Sequence, residues 1–240
     1  MTTRRHLRRP LILAAVIPTL AVVHPVQLFS QATSAPIALF SKVILDVTRR
    51  HADAEWMEAK RGETLGSGDR VRTGERSIAL IKFKDNSLLR VREQSEVVVT
   101  GGMSGSAFSK SVSVQRGATG FNIKKQRPEE EFRFTSPTSV ASIRGTAGQF
   151  SAHPDGDTLI VLEGLVSLTN TLSARTVGVK AGFTGISAPD GSVETHPSTP
   201  EEVAAARSAT QSGDRPEIFE LELRDSKGGR KTLKIEFKEP

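Results

Sequence analysis

From Ile37 to about Val193 the chain alternates apolar and polar residues in short runs, each closed by Gly, Asn, Asp or Pro. SIALIKF (77–83) carries Ile78, Leu80 or Ile81, and Phe83, then stops at Asp85-Asn86-Ser87. The same alternation returns in LLRVR (88–92), EVVVT (96–100), SVSVQ (111–115), FNI (121–123), EFRF (131–134) and SVASI (139–143). It continues through QFSAH (149–153), TLIVL (158–162), LVSLT (165–169) and TVGVK (176–180). A period of two sends successive side chains to opposite faces of a strand, and breaks every 8–12 residues or so suit many short strands. No run in this stretch has the 3.6-residue spacing of an amphipathic helix. The expected fold class is all-β, a β-solenoid-like roll or a sandwich of short strands.

The C-terminal end follows another pattern. Thr199 stands at an N-cap position, Pro200 at the first helical position, and Glu202 three residues after the cap. That is a capping box with a proline start, which predicts a short helix over 200–209. TQSGDRP (210–216) reads as a linker. EIFELEL (217–223), the polar DSKGGR (225–230) and KTLKIEFKE (231–239) predict a terminal β-hairpin with Glu and Lys pairing across it. A lone hairpin is marginal in water, so this one either covers an edge of the β-body or adds to a partner's sheet.

At the other end, RRHLRR (4–9) precedes the apolar run LILAAVIPTLAVV (11–23), and Ser30-Gln31-Ala32 follows as a small-x-small site. This is the layout of a secretory signal peptide over residues 1–32, and the run is short for a transmembrane helix. The alternative is an uncleaved anchor, the one case in which the membrane becomes a partner. The expected organisation is a signal peptide at 1–32, a β domain at 33–195, and a helix-plus-hairpin extension at 196–240. Localisation is then periplasmic or otherwise exported.

Charge and composition narrow the function. Four of the 33 Lys and Arg and none of the 27 Asp and Glu lie in residues 1–32, so the formal charge of +6 falls to +2 for the rest. The high pI belongs largely to the leader, and nucleic acid is not an expected partner. With no cysteine, disulfides, zinc-cysteine sites and thiol catalysis drop out together.

Beyond the leader only His51, His153 and His196 remain, with no HExxH, P-loop, GxGxxG, SxxK or GxSxG pattern. Pro154-Asp155-Gly156-Asp157 has two oxygen ligands but reads as a hairpin turn. Glu129-Glu130-Glu131 reads as a solvated run before a strand. No metal, cofactor or enzymatic activity is expected. Trp56, the only tryptophan, is either a core plug or a stacking platform.

Three stretches carry a resemblance to the FecR domain family. They are GETLGSGDRVRTGERSIALIKFKDNSLLRVREQSEVVV (62–99), TSPTSVASIRGTAGQFSA (135–152), and DTLIVLEGLVSLTN with TVGVKAGFTG (157–185). The positions that carry it are Gly68, Asp69, Thr73, Gly74, Arg144, Gly145, Thr146, Glu163, Gly164, Ala181 and Gly182. Their physics reads as structural. Gly68-Asp69 and Thr73-Gly74 suit turns, Gly145 a bend or close backbone approach, and Glu163-Gly164 a two-residue hairpin turn. Arg144 and Trp56 are the candidate partner contacts, Arg144 because a guanidinium beside a tight turn can clamp a carboxylate or a partner loop.

The resemblance implies a periplasmic β module. In full-length sensors of that family it relays an outer-membrane transporter's loaded state to a cytoplasmic segment controlling a sigma factor. Only ten residues precede the apolar run here, so no cytoplasmic anti-sigma segment is expected. The function expected is a non-catalytic binding module for an envelope protein. A cell-wall or polysaccharide-binding protein is the alternative, and a hydrolase with converging carboxylates is the third reading.

Overall fold

The computed structural model describes residues 35–104 and 107–211, together with two strands at 217–224 and 230–237. In chain order the strands are β1 Ala38–Ile44, β2 Val47–His51, β3 Met57–Glu58, β4 Thr64–Leu65, β5 Asp69–Thr73 and β6 Ile78–Phe83. Next come β7 Leu88–Val91, β8 Glu96–Ser104, β9 Ala107–Asn122, β10 Phe132–Thr135, β11 Ser139–Ile143 and β12 Ala147–His153. Then follow β13 Gly156–Glu163, β14 Leu165–Asn170, β15 Thr176–Lys180, β16 Phe183–Ser187 and β17 Val193–Pro197. The helix α1 spans Pro200–Thr210, and β18 Glu217–Arg224 and β19 Arg230–Phe237 close the chain.

The pairings resolve into two sheets. The first runs β4-β1-β6-β7-β9-β12-β13-β16-β17, antiparallel throughout. The second runs β3-β2-β5-β8-β9-β10-β11-β14-β15, antiparallel except for the parallel β9–β10 pair. The long strand β9 serves both. Up to Arg116 it pairs with β8 in the second sheet, and from Gly117 it pairs with β12 in the first. The result is a sandwich-like all-β body with an unclosed sheet.

The core lies between the two sheets. Phe83 of β6 meets Phe132 of β10 edge-on at 5.1 Å, and Phe134 of β10 packs against Phe121 and Phe150 of the first sheet at 5.0 and 5.7 Å. All five rings are fully buried or nearly so. Each contributes roughly 2–3 kcal/mol of hydrophobic stabilisation by burial. The period-two runs therefore form the strands they predict because one face of each can be buried across the sandwich.

The chain crosses between sheets at tight corners. Four crossings lie at one end: Leu45-Asp46, Gly74–Ser77, Arg92–Ser95 and Gly117 within β9. Four lie at the other: Gly66–Gly68, Arg144–Thr146, Gly164, and Ala181-Gly182. Glu163-Gly164 is thus not the expected two-residue hairpin turn. β13 pairs with β12 and β16, whereas β14 pairs with β11 and β15, so Gly164 turns the chain across the sandwich instead. Pro154-Asp155, by contrast, is the tip of the β12–β13 hairpin.

Thr199 caps α1 as the sequence predicts. Its side chain accepts from the Glu202 amide, and Glu202 reaches back to the Thr199 amide at 2.8 Å. The helix lies on β9, β12 and β13 of the first sheet, with Ala206 and Ala209 buried. β18 and β19 pair from Glu217↔Phe237 to Arg224↔Arg230 as their own two-stranded sheet. The leader, most of the 210–216 linker and most of the hairpin turn lie outside the described residues.

Candidate functional site

On β2, β5, β8 and β9, alternation sends Val47, Val71, Val97 and Val114 into the core. The residues between them form the outer face of the second sheet, and there Arg50 stands directly opposite Arg70. Arg72 is flanked by Thr48 on one side and Glu96 on the other. Glu96 is almost buried, and Arg72 donates to its Oε2 from Nη2 at 2.9 Å and Nε at 3.3 Å. Arg70 and Arg116 stand off from the same carboxylate at 3.7 Å.

Trp56, from the loop after β2, is half-buried against this face and is absent from the core. The guanidinium of Arg72 lies 4.2 Å, and that of Arg50 4.8 Å, from its ring centroid. Both are cation–π contacts, each worth about 0.5–1 kcal/mol at a partly exposed site. The ring is therefore stacked on the protein's own cations. The Arg50 Nε is buried with no hydrogen-bond partner. Beyond β8 the face continues in small hydroxyls, among them Ser111, Ser113, Thr135 and Ser142.

Arg144 lies elsewhere. It is exposed at the β11–β12 corner, and its charge acts on Glu131, whose carboxyl is held low first by Arg133 and then also by Arg144. Four strands separate β2 from β11, about 24 Å at the usual strand spacing, so the two candidate contacts do not form one site. Its neighbour Gly145 has φ +100, and a Cβ there would stand 2.9 Å from Lys125 Cα. The bend and the close backbone approach both require glycine.

The other signature positions hold corners and turns. Asp69 is buried, accepts from the Gly66 amide at 2.8 Å and meets His51 Nδ1 at 2.5 Å, closing the Gly68 turn. Thr73 Oγ1 donates to the Arg92 carbonyl at 2.5 Å and accepts from the Ser95 amide at 3.1 Å. Gly74 donates its amide to the Asp46 carbonyl, at 2.8 Å. At the opposite end Thr146 is buried against Gly164, Ala181 donates to the Gly164 carbonyl, and Gly182 to that of Val161. Glu163 is exposed beside that corner.

Two polar clusters escaped the sequence reading. Lys110, almost wholly buried, pairs with Asp85 at 2.6 Å, and Gln126 and Ser87 also donate to Asp85. Burial raises the Asp85 carboxyl, but those bonds and the Lys110 charge outweigh it and hold it below its ordinary range. The pair sits beside a cleft of about 580 Å³ lined by Pro36, Ile37, Met103 and Phe108. In the second cluster Asp157, buried, accepts from Ser136 and Ser139, and its Oδ1 has no partner. Here burial dominates and pushes the carboxyl up. The Ser-Pro-Thr-Ser run at 136–139 and Asp157 were visible, but only the fold brings them together. Among the described residues no three His, Asp or Glu gather as a metal site.

The match to a family model agrees with the resemblance. Residues 69–167 match the family model for FecR protein, and this stretch of the chain is a FecR domain. Such domains are regulatory, signalling-related modules of the envelope. Two crystal structures of a candidate anti-sigma factor from Parabacteroides distasonis ATCC 8503 are similar to the chain, each at 10% identity and a TM-score of 0.48. They cover 57% of this chain, which in turn spans 63% and 62% of theirs, less than two thirds of their length. No curated protein matches the sequence. No helix among the described residues is long and apolar enough to cross a membrane.

Proposed function

We propose that this protein is an exported, periplasmic FecR-like module that binds an envelope protein in signalling and carries out no catalysis. The signal peptide at 1–32 delivers it, residues 33–195 form the binding domain, and 196–240 extend it. The observation that carries this reading is the asymmetry of the sandwich. Helix α1 packs on the outer face of the first sheet, while that of the second, among the described residues, carries arginine and hydroxyl side chains with no helix on it. A broad polar face of this kind, with arginine among its side chains, suits a macromolecular partner.

The polysaccharide alternative is less well supported. Sugar clefts present a bare aromatic ring, and Trp56 has both Arg50 and Arg72 over its ring.

The test is chemical crosslinking of the tagged full chain in intact envelopes, with peptidoglycan sedimentation of the purified protein in parallel. Reproducible crosslinking to one envelope protein, with nothing sedimenting, supports the proposal. Sedimentation with the wall and no protein adduct overturns it.

A further inference from the structure

We propose that the outer face around Trp56 docks an acidic segment of a partner protein, with Arg70 and Arg116 as the residues that meet its carboxylates. This rests on the protein-binding reading above and adds the chemistry of the partner and the place where it binds.

The first ground is charge. Four guanidinium groups, those of Arg50, Arg70, Arg72 and Arg116, gather across strands β2, β5 and β9. Glu96 lies among them, Glu58 stands opposite Thr48, and Asp53 and Glu55 are exposed in the loop that carries Trp56. Glu96 is engaged by Arg72 through two nitrogens on one oxygen, so it neutralises Arg70 and Arg116 only weakly from 3.7 Å. Like charges directly opposite on neighbouring strands destabilise a sheet, and Arg50 faces Arg70 in that way. Arg50 is held by its stack on Trp56, and Arg70 has the 3.7 Å contact to Glu96 to set against that repulsion. An incoming carboxylate relieves what remains of it.

The second ground is preorganisation. Stacking on Trp56 fixes the planes of Arg50 and Arg72 while leaving guanidinium N–H edges to hydrogen-bond, and ordering side chains beforehand lowers the entropic cost of association. Arg70 and Arg116 remain 39% and 59% exposed, so their donors are accessible. The cluster spans three strand spacings, about 14 Å. That geometry matches carboxylates spread along an extended or looped acidic segment, each taken by a charge-assisted bond.

Trp56 is the only tryptophan and the chain has no tyrosine, so its emission reports this site. The experiment titrates the full chain with a decapeptide alternating Glu and Thr, following Trp56 fluorescence, with a Lys-Thr decapeptide as control. The expected result is a saturable change with the acidic peptide alone, weakened at least about tenfold in Arg70→Gln/Arg116→Gln and reduced by added salt. Circular dichroism of the variant should match the parent, and its urea midpoint should not fall below it. No saturable change, or equal affinity for parent and variant, overturns the site. A tighter response to soluble peptidoglycan fragments overturns the acidic-protein partner. Crosslinking the variant separates the two levels. If it still captures the parent's envelope partner, this site is wrong and the binding function stands. If the parent captures nothing, the binding function itself fails.

Discussion

The carbonyl oxygen of Ala209 lies 1.9 Å from the place a Cβ would occupy on Gly120. The last turn of α1 therefore rests directly on the backbone of β9, which only glycine permits. Ala206 and Ala209, with their short side chains, let the helix come that close. This contact is what covers one face of the sandwich and leaves the other as the candidate interface. Gly120→Val should push α1 off the sheet. We expect a loss of roughly 1–3 kcal/mol in urea unfolding and faster amide exchange in 200–210 than in β12 or β13. Unchanged exchange in the helix would contradict this packing.

Thr73 joins two sheet-crossing corners with one hydroxyl, donating to the Arg92 carbonyl and accepting from the Ser95 amide. Thr73→Val keeps the shape and removes the polar atom, leaving both backbone groups short of a partner in a buried place. The cost should be about 1–3 kcal/mol by urea denaturation, with Thr73→Ser recovering most of it. Equal stability of Thr73→Val and the parent would rule out a structural role for this signature position.

Asp85 and Asp157 should give opposite pH dependences. The Asp85 carboxyl is held low in the fold, so its stabilising contribution is present above its unfolded pKa and is lost as pH falls through the folded one. Asp85→Asn leaves Lys110 as a buried cation without its counter-charge. Since Asp85 is partly exposed, the expected loss is about 2–3 kcal/mol at neutral pH, shrinking in acid. Urea midpoints across a pH series check both the size and the trend.

The Asp157 carboxyl is pushed up by burial, so the fold favours its protonated form. That contribution is full below the unfolded pKa and is lost as pH rises through the folded one. Asp157→Asn cannot ionise and still offers an oxygen to Ser136 and Ser139. It should flatten this part of the pH profile and match or exceed the parent's stability at alkaline pH. A variant that tracks the parent at every pH would show that the Asp157 charge is not under strain.

Much of the fold was legible because its signals are local. Alternation marks the strands, and Thr199, Pro200 and Glu202 mark the helix start within four residues. Glu163-Gly164 misled because two abutting apolar runs with a glycine between them look alike whether the chain folds back or crosses to the other sheet. Only the distant partners β11 and β16 decide that. The candidate face was half legible. Trp56 stood out as the only tryptophan, yet Arg50, Arg72 and Glu96 are separated along the sequence and meet only through strand register. Arg144 stood out through its motif, but register places its strand β11 about 24 Å from β2.

The most direct test of the central claim is site-specific photo-crosslinking in living cells, with the probe placed in the full chain at one of two exposed positions. Gln115 bonds Ser113 on the outer face of the second sheet, and Glu194 lies on β17 at the edge of the first. A discrete adduct with one envelope protein is expected from position 115 and none from position 194. An adduct from position 194 alone, or no protein adduct from either, would contradict the claim.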